Sequence, residues 1–198
     1  MDIISIPRDS YVKIYTAKGN LADEVSPYAK INSAFSAGGG AQKNGFAYTT
    51  NTVSKLLGIP VEYYVGFNMN VVKEVVDAMG GVDYDVDVRI ALNGRVLEKG
   101  YQHLDGQQVL DYCRARKGIS TDVGRADRQQ RMLFAILEQL QSRDQLKNFP
   151  KIYLSVQDKV YTDLNLEQIA ALTLFAMDLD LETDLHRHTL EGEYINNT

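Results

Sequence analysis

Val71, Val72, Val75, Val76 and Met79 fall at offsets of 0, 1, 4, 5 and 8, which is one face of a helix, and Gly80-Gly81 closes it. The period then changes at once. Val82, Tyr84, Val86 and Val88 alternate with Asp83, Asp85 and Asp87, the pattern of a strand with one buried side. Valine is a weak helix former, but a 3.6-residue period prevails where a core rewards it. A helix that becomes a strand at one glycine pair buries both apolar faces most simply by packing one on the other. That constrains the chain to layers of helix and sheet.

The remaining elements extend this reading. A strand covers residues 2–6 and Pro7 stops it, whereas Lys13 to Tyr28 reads as irregular and Gly38-Gly39-Gly40 as a turn. Phe46, Val53, Leu56 and Leu57 follow a helical period that Gly58 and Pro60 end, and Val61 to Phe67 has strand composition. Asn93-Gly94 is a strong hairpin signal. Helices are expected over 105–113 and 126–141, and over Leu164 to Met177 with Asp163 or Asn165 as the cap; a last strand follows at 183–190. The stretch 153–163 fits no single period. No repeat and no Pro/Gly/Ser-rich linker divides the chain, so residues 1–198 are expected to form one α/β domain. Its central mixed sheet should hold about five or six strands flanked by helices.

Composition narrows the function classes. Lys and Arg number 21 against 26 Asp and Glu, a formal charge of −5, so a nucleic-acid partner would need a strong local basic patch. A single cysteine excludes an intrachain disulfide and multi-cysteine zinc sites. No apolar run reaches the roughly 18 residues of a membrane span.

The basic residues are not evenly spread. From Lys99 to Arg131 there are seven Lys or Arg against four Asp, including Arg114, Arg116, Arg125, Arg128 and Arg131. Guanidinium is a rigid fork of donors that matches phosphate oxygens in pairs, whereas an ammonium is a point charge. Met132, Leu133, Ile136, Leu137 and Leu140 read as the buried stripe of the long helix. Stepping back by fours from Leu133 places Gln129 and Arg125 on the inward face, near a helix N-terminus that favours anions. An Arg–Asp network through Asp111, Asp122 and Asp127 accounts for the same residues structurally, and both readings stand.

Arg8-Asp9, just after the first strand, occupies the strand end where open α/β folds place ligands, though a plain salt bridge explains the pair equally. Lys30 faces either solvent or an anion. Asp83, Asp85 and Asp87 share a strand face but lack the glycine and glutamate of a calcium loop. Cys113 reads as packing, and His103, His186 and His188 lack zinc spacing. The Gly38–Gly40 run lacks the Lys-Ser/Thr of a nucleotide loop.

Four segments together carry a resemblance: Ser5-Ile-Pro-Arg-Asp9-Ser-Tyr-Val12, Lys30-Ile-Asn-Ser-Ala34, Leu104-Asp-Gly-Gln-Gln-Val-Leu-Asp-Tyr-Cys-Arg-Ala-Arg116 and Asp122-Val-Gly-Arg-Ala-Asp-Arg-Gln-Gln130. In this order they closely resemble the LytR-CpsA-Psr family. The likeness extends from residue 2 to about residue 192 through Gly80-Gly81-Val82 and Val160 to Leu164.

The resemblance implies an α/β/α sandwich with an apolar cleft for a lipid tail. It implies a magnesium-assisted phosphotransferase that moves a glycopolymer, such as wall teichoic acid or capsule, from a polyprenyl-pyrophosphate carrier to peptidoglycan. The setting it implies is the outer face of the cytoplasmic membrane. By position, Arg8, Lys30, Arg114, Arg116, Arg125 and Gln129 match the family's pyrophosphate cradle, with Asp9 the motif neighbour of Arg8. Arg8, Asp9, Arg116 and Arg125 are the catalytic candidates. The family's magnesium-binding aspartates and membrane anchor would lie upstream of residue 1, so no complete metal site is expected in the chain and the sheet edge left open would favour a dimer. A non-catalytic polyprenyl-phosphate binding module and a polyprenyl-pyrophosphate pyrophosphatase are the alternatives. No nucleic-acid partner is expected.

Overall fold

The computed structural model describes residues 1–115, 122–142, 149–181 and 183–192, with side chains undescribed at 122–126, 142 and 149–151. Its contacts gather in two compact units.

The larger unit comprises Met1–Ser5, Phe67–Val160 and Glu167–His188. Its heart is the period change at Gly80. Helix α3 (Met69–Met79) starts at Asn68, whose side chain accepts from the Asn70 N–H, and buries Val71, Val76 and Met79. Strand β5 (Val82–Val86) follows and buries Val82 and Val86. Its antiparallel partner is β8 (Gly100–Leu104), with Val82 opposite Leu104 and Asp83 opposite His103. Between them β6 (Ile90–Leu92) and β7 (Arg95–Leu97) form the expected hairpin. Its turn residues Asn93 and Gly94 both hold positive φ, 51° and 77°, as the two-residue turn requires.

Helix α4 (Gly106–Arg114) opens with a full capping box: Asp105 accepts from the Gln108 N–H while the Gln108 side chain accepts from the Asp105 N–H. α4 crosses α3 so closely that a Cβ on Gly106 would overlap the backbone carbonyl of Lys73, and only glycine fits there. Helix α5 (Asp122–Ser142) packs on α4 and β5. The core joins Val76, Met79, Val82, Val86, Ile90, Leu97, Leu104, Val109, Tyr112, Met132, Ile136 and Ile152. The last of these comes from α6 (Phe149–Val156). At the unit's termini β1 (Asp2–Ser5) pairs with β10 (His186–Thr189).

The smaller unit comprises Ile6–Gly66, Tyr161–Leu166 and the stretch from Thr189. Strands β2 (Tyr11–Lys13) and β3 (Tyr28–Lys30) pair antiparallel, Tyr11 opposite Lys30. Helices α1 (Ser33–Ala37) and α2 (Gly45–Leu57) follow, and buried Thr52 of α2 accepts from the Tyr15 N–H at 3.0 Å. Phe46 stacks on Tyr64 at 4.3 Å and meets Phe35 edge-on at 5.1 Å. Strand β4 (Val65–Phe67) pairs with β9 (Val160–Thr162). α7 (Leu166–Asp178), next in the chain, belongs to the larger unit from Glu167 onward.

The mixed α/β class holds. Several details differ from expectation. Lys13 to Tyr28, read as irregular, is bounded by a strand pair and pinned by a Tyr15–Leu21 bridge. The expected strand from Val61 contracts to Val65–Phe67. Among the described residues the strands join as two-stranded ladders rather than one ladder of five or six.

Candidate functional site

In the smaller unit the chain turns sharply after Ile6, with the Ser10 N–H donating to the Pro7 carbonyl at 3.0 Å. Two bonds tie this turn to the end of β3: Ile31 N–H to Ser10 O at 2.8 Å and Asn32 N–H to Arg8 O at 3.2 Å. They bring Arg8, Asp9 and Lys30 together although 20 residues lie between Asp9 and Lys30 in the sequence. The Asp9 carboxylate lies 3.0 Å from Lys30 Nζ and 3.8 Å from Arg8 Nε. Both cations are more than half exposed, at 55% for Arg8 and 61% for Lys30. Exposed ion pairs contribute about 0–1 kcal/mol, so stability alone gives little reason for two cations to share one carboxylate. What the trio offers is a solvent-facing excess of positive charge held in place by an anionic bracket.

The arginine-rich stretch belongs to the larger unit. Here the helical register corrects the sequence reading. Met132 and Ile136 are buried while Leu133 is 45% exposed, so the inward row of α5 runs through Met132, and its fourth residue back is Arg128. Arg128 is 1% exposed, whereas Gln129 is exposed. The Arg128 guanidinium donates through Nη1 to the carbonyls of Tyr112 at 3.2 Å and Ala115 at 3.3 Å, and lies 4.9 Å from the Tyr112 ring centre. Gln129 Nε2 donates to the Cys113 carbonyl at 3.2 Å. These carbonyls lie at the C-terminal end of α4, where the last carbonyls of a helix have no partner within it. A cation at a helix C-terminus contributes up to ~2 kcal/mol when partly buried. Burial pushes the Cys113 thiol up to about 11 against the pull of Arg128, which fits the packing role expected of it.

The aspartates divide differently from the expected network. Asp111 is buried and takes Arg95 in a two-point contact at 2.6 and 3.0 Å, with Gln107 as a third donor at 3.1 Å. Asp127 pairs with Arg131 at 2.9 Å. Arg131 also reaches Asp87 at 2.8 Å, and the Tyr112 hydroxyl donates to the same carboxylate at 2.9 Å. Burial works to raise the Asp87 carboxyl, but the bonds from Arg131 and Tyr112 outweigh it and hold it below the usual carboxylate range. A depressed carboxyl stabilises the fold above the unfolded pKa, near 4, and loses that contribution as pH falls through the folded value. The urea midpoint should therefore drop on acidification below about pH 4. Asp87→Asn should flatten part of that drop, and an unchanged acid limb in the variant would remove the assignment.

The sequence-predicted residues thus fall into groups. Arg8, Asp9 and Lys30 meet in the smaller unit; Arg114, exposed at the end of α4, and Gln129 lie in the larger. Arg116 and the Arg125 side chain lie outside the described residues. Arg128 was not among the expected site residues.

A magnesium site finds no support in the groups present. Among the described residues no three His, Cys, Asp or Glu gather as a cation site. Asp9 is bracketed by cations, and Asp83 accepts from His103 Nδ1 at 2.6 Å. These residues do not fit a bound cation by themselves. Nor, among the described residues, is any helix long and apolar enough to cross a membrane.

Comparison with known proteins adds to this geometry. Residues 1–198 match the LytR_cpsA_psr family. A polyisoprenyl-teichoic acid--peptidoglycan teichoic acid transferase TagU of Bacillus mycoides (strain KBAB4) is 35% identical over 170 residues, 85% of this chain and 51% of the relative. The protein of that name from Enterococcus faecalis (strain ATCC 700802 / V583) is 30% identical over 173 residues, 87% of this chain and 52% of the relative. The chain spans about half the length of these curated relatives. Among solved structures, B. subtilis TagV superposes with a TM-score of 0.80 at 28% identity, over 100% of this chain and 74% of that one. A structure described as TagT bound to LI-WTA gives 0.74 at 26% identity, over 100% and 69%.

Proposed function

Because the chain belongs to the LytR-CpsA-Psr family, we propose that it carries the pyrophosphate-binding part of a transferase that moves a teichoic-acid-type glycopolymer from a polyprenyl-pyrophosphate carrier to peptidoglycan. The observation that carries this reading is the 35% identity over 170 residues with a protein named for that transfer. The Arg8–Asp9–Lys30 trio supports it, since exposed cations fixed by a carboxylate are what a pyrophosphate requires.

In the proposed reaction a peptidoglycan hydroxyl attacks the phosphorus that bears the glycopolymer. The bond from that phosphorus to the bridging oxygen breaks, polyprenyl phosphate leaves, and the hydroxyl proton passes to a base. Negative charge moves from the non-bridging oxygens onto the bridging one as the bond opens. Fixed cations stabilise that shift without reorganising. By their family motifs, Arg8, Lys30, Arg114, Arg116, Arg125 and Gln129 are the residues we assign to pyrophosphate binding, with Asp9 orienting Arg8 and Lys30. Magnesium enters only as a component of the assay. The site of action we assign is the outer face of the cytoplasmic membrane.

The test supplies the protein with a polyprenyl-pyrophosphate-linked saccharide, peptidoglycan fragments and magnesium, and follows both products. Polyprenyl phosphate should be released in step with attachment of the saccharide. Release without attachment would make the protein a pyrophosphatase. Tight binding of the carrier with no release would make it a binding module.

A further inference from the structure

We infer that Arg128 is a positioning residue, whose buried guanidinium fixes the end of α4 in the one register that presents Arg114 to an anion. The inference rests on the pyrophosphate reading above and adds to it a residue that takes no part in the cradle itself.

Burying a guanidinium is costly unless its surroundings repay it, and an apolar side chain would fill the same space without that cost. Arg128 is among the most completely buried side chains, yet its Nε has no hydrogen-bond partner among the described residues. Its Nη1 takes the carbonyls of Tyr112 and Ala115, and its Cζ lies 4.9 Å from the centre of the Tyr112 ring. Gln129, the next residue, takes the carbonyl between them, that of Cys113. Arg114 is therefore held on both sides. The carbonyl before it is bonded to Gln129 and the carbonyl after it to Arg128.

The backbone leaves the helix at this point. Ala115 turns to an extended ψ of 133° just after the last helical residue, Arg114. A helix end with unsatisfied carbonyls normally frays. Here α5 ties it down, so the direction in which Arg114 leaves the backbone is set before any ligand arrives. Preorganisation of that kind is what a cation needs to stabilise charge that develops only during reaction. Lysine replaces the device poorly, because its compact ammonium is more strongly hydrated than a guanidinium and costs more to bury over the Tyr112 ring.

Cys113 is the chain's single cysteine and is buried inside this clamp, so its reaction with a thiol reagent reports whether the clamp is closed. In Arg128→Lys, with helix content unchanged by circular dichroism, Cys113 should label about tenfold faster, because the α4 end opens more often. In the transfer assay kcat should fall roughly 10- to 100-fold with KM within about threefold, the pattern of lost orientation rather than lost binding. In an Arg114→Ala background the same substitution should cost less than about a further twofold, since it acts through Arg114. One measurement needs no variant: inorganic pyrophosphate should slow Cys113 labelling of the unaltered protein at least about threefold, because coupling between two sites is reciprocal.

Faster labelling with unchanged turnover would leave Arg128 as a purely structural residue and overturn the inference. So would an equal loss in the presence and absence of Arg114. Should Arg128→Lys fail to fold, the pyrophosphate experiment decides: no protection of Cys113 overturns it. If the unaltered protein transfers nothing, the transferase reading falls by itself, and protection of Cys113 by pyrophosphate still decides the clamp.

Discussion

Arg116→Ala and Arg125→Ala should each lower the rate of polyprenyl phosphate release by roughly 100-fold or more, the scale of losing one preorganised donor to a developing oxyanion. The expectation follows from charge and from geometry. Opening a phosphoanhydride moves charge among several oxygens, and each guanidinium offers two parallel donors to follow it. Lysine at either position should restore little, because it returns the charge without the fork. The neighbouring aspartates sharpen the test. Asp111 is already held by Arg95 and Gln107, and Asp127 and Asp87 are held by Arg131. Those ion pairs involve neither Arg116 nor Arg125, and a thermal midpoint measured beside turnover separates loss of the fold from loss of catalysis. Folded variants that turn over at the original rate would remove the arginine cradle from the proposal.

Much of the architecture was legible because its signals were periodic. The α3 face from Val71 to Met79, the strand after Gly81 and the Asn93-Gly94 hairpin needed only local rules, and all three are present. β8 was not anticipated. Gly100-Tyr-Gln-His-Leu104 carries one buried side chain, Leu104, and its pairing is fixed by β5 rather than by its own composition.

The long helix shows a different limit. The doublets Met132-Leu133 and Ile136-Leu137 support two inward rows one residue apart, and hydrophobicity alone does not choose between them. One row leads back to Gln129, the other to Arg128. Tertiary contact chose the second, which places a charge where the sequence rules expect an apolar residue. The signal that could have found it is the Arg128–Met132–Ile136 spacing, read together with an α4 end that lacks a C-terminal glycine to close it. The strand-end trio was readable in part. Arg8 and Asp9 sit where ligands gather in such folds, but only the pairing of the turn with the end of β3 brings Lys30 to them.

Tyr112→Ala should be the most destabilising single truncation at this site, costing about 3–5 kcal/mol and lowering the thermal midpoint by roughly 10–15 °C. Tyr112 is 0% exposed and packs in the core of the larger unit, its ring edge-on to Tyr84 at 5.3 Å. Its removal opens a cavity and at the same time strips two charged groups of a partner. Arg128 loses the ring beneath it, and Asp87 loses the hydroxyl at 2.9 Å. Leaving a buried guanidinium less well met adds to the cavity term, which places the expected cost toward the upper end of the range. Tyr112→Phe separates the two contributions: it keeps the ring and loses only the hydroxyl, for about 1 kcal/mol. Urea or thermal unfolding of both variants measures the difference directly. An alanine variant within about 1 kcal/mol of the unaltered protein would mean that the site collapses without cost. In that case neither the core nor the arginine above it depends on the ring, and α4 would have to be held in place by its packing on α3, α5, β6 and β8.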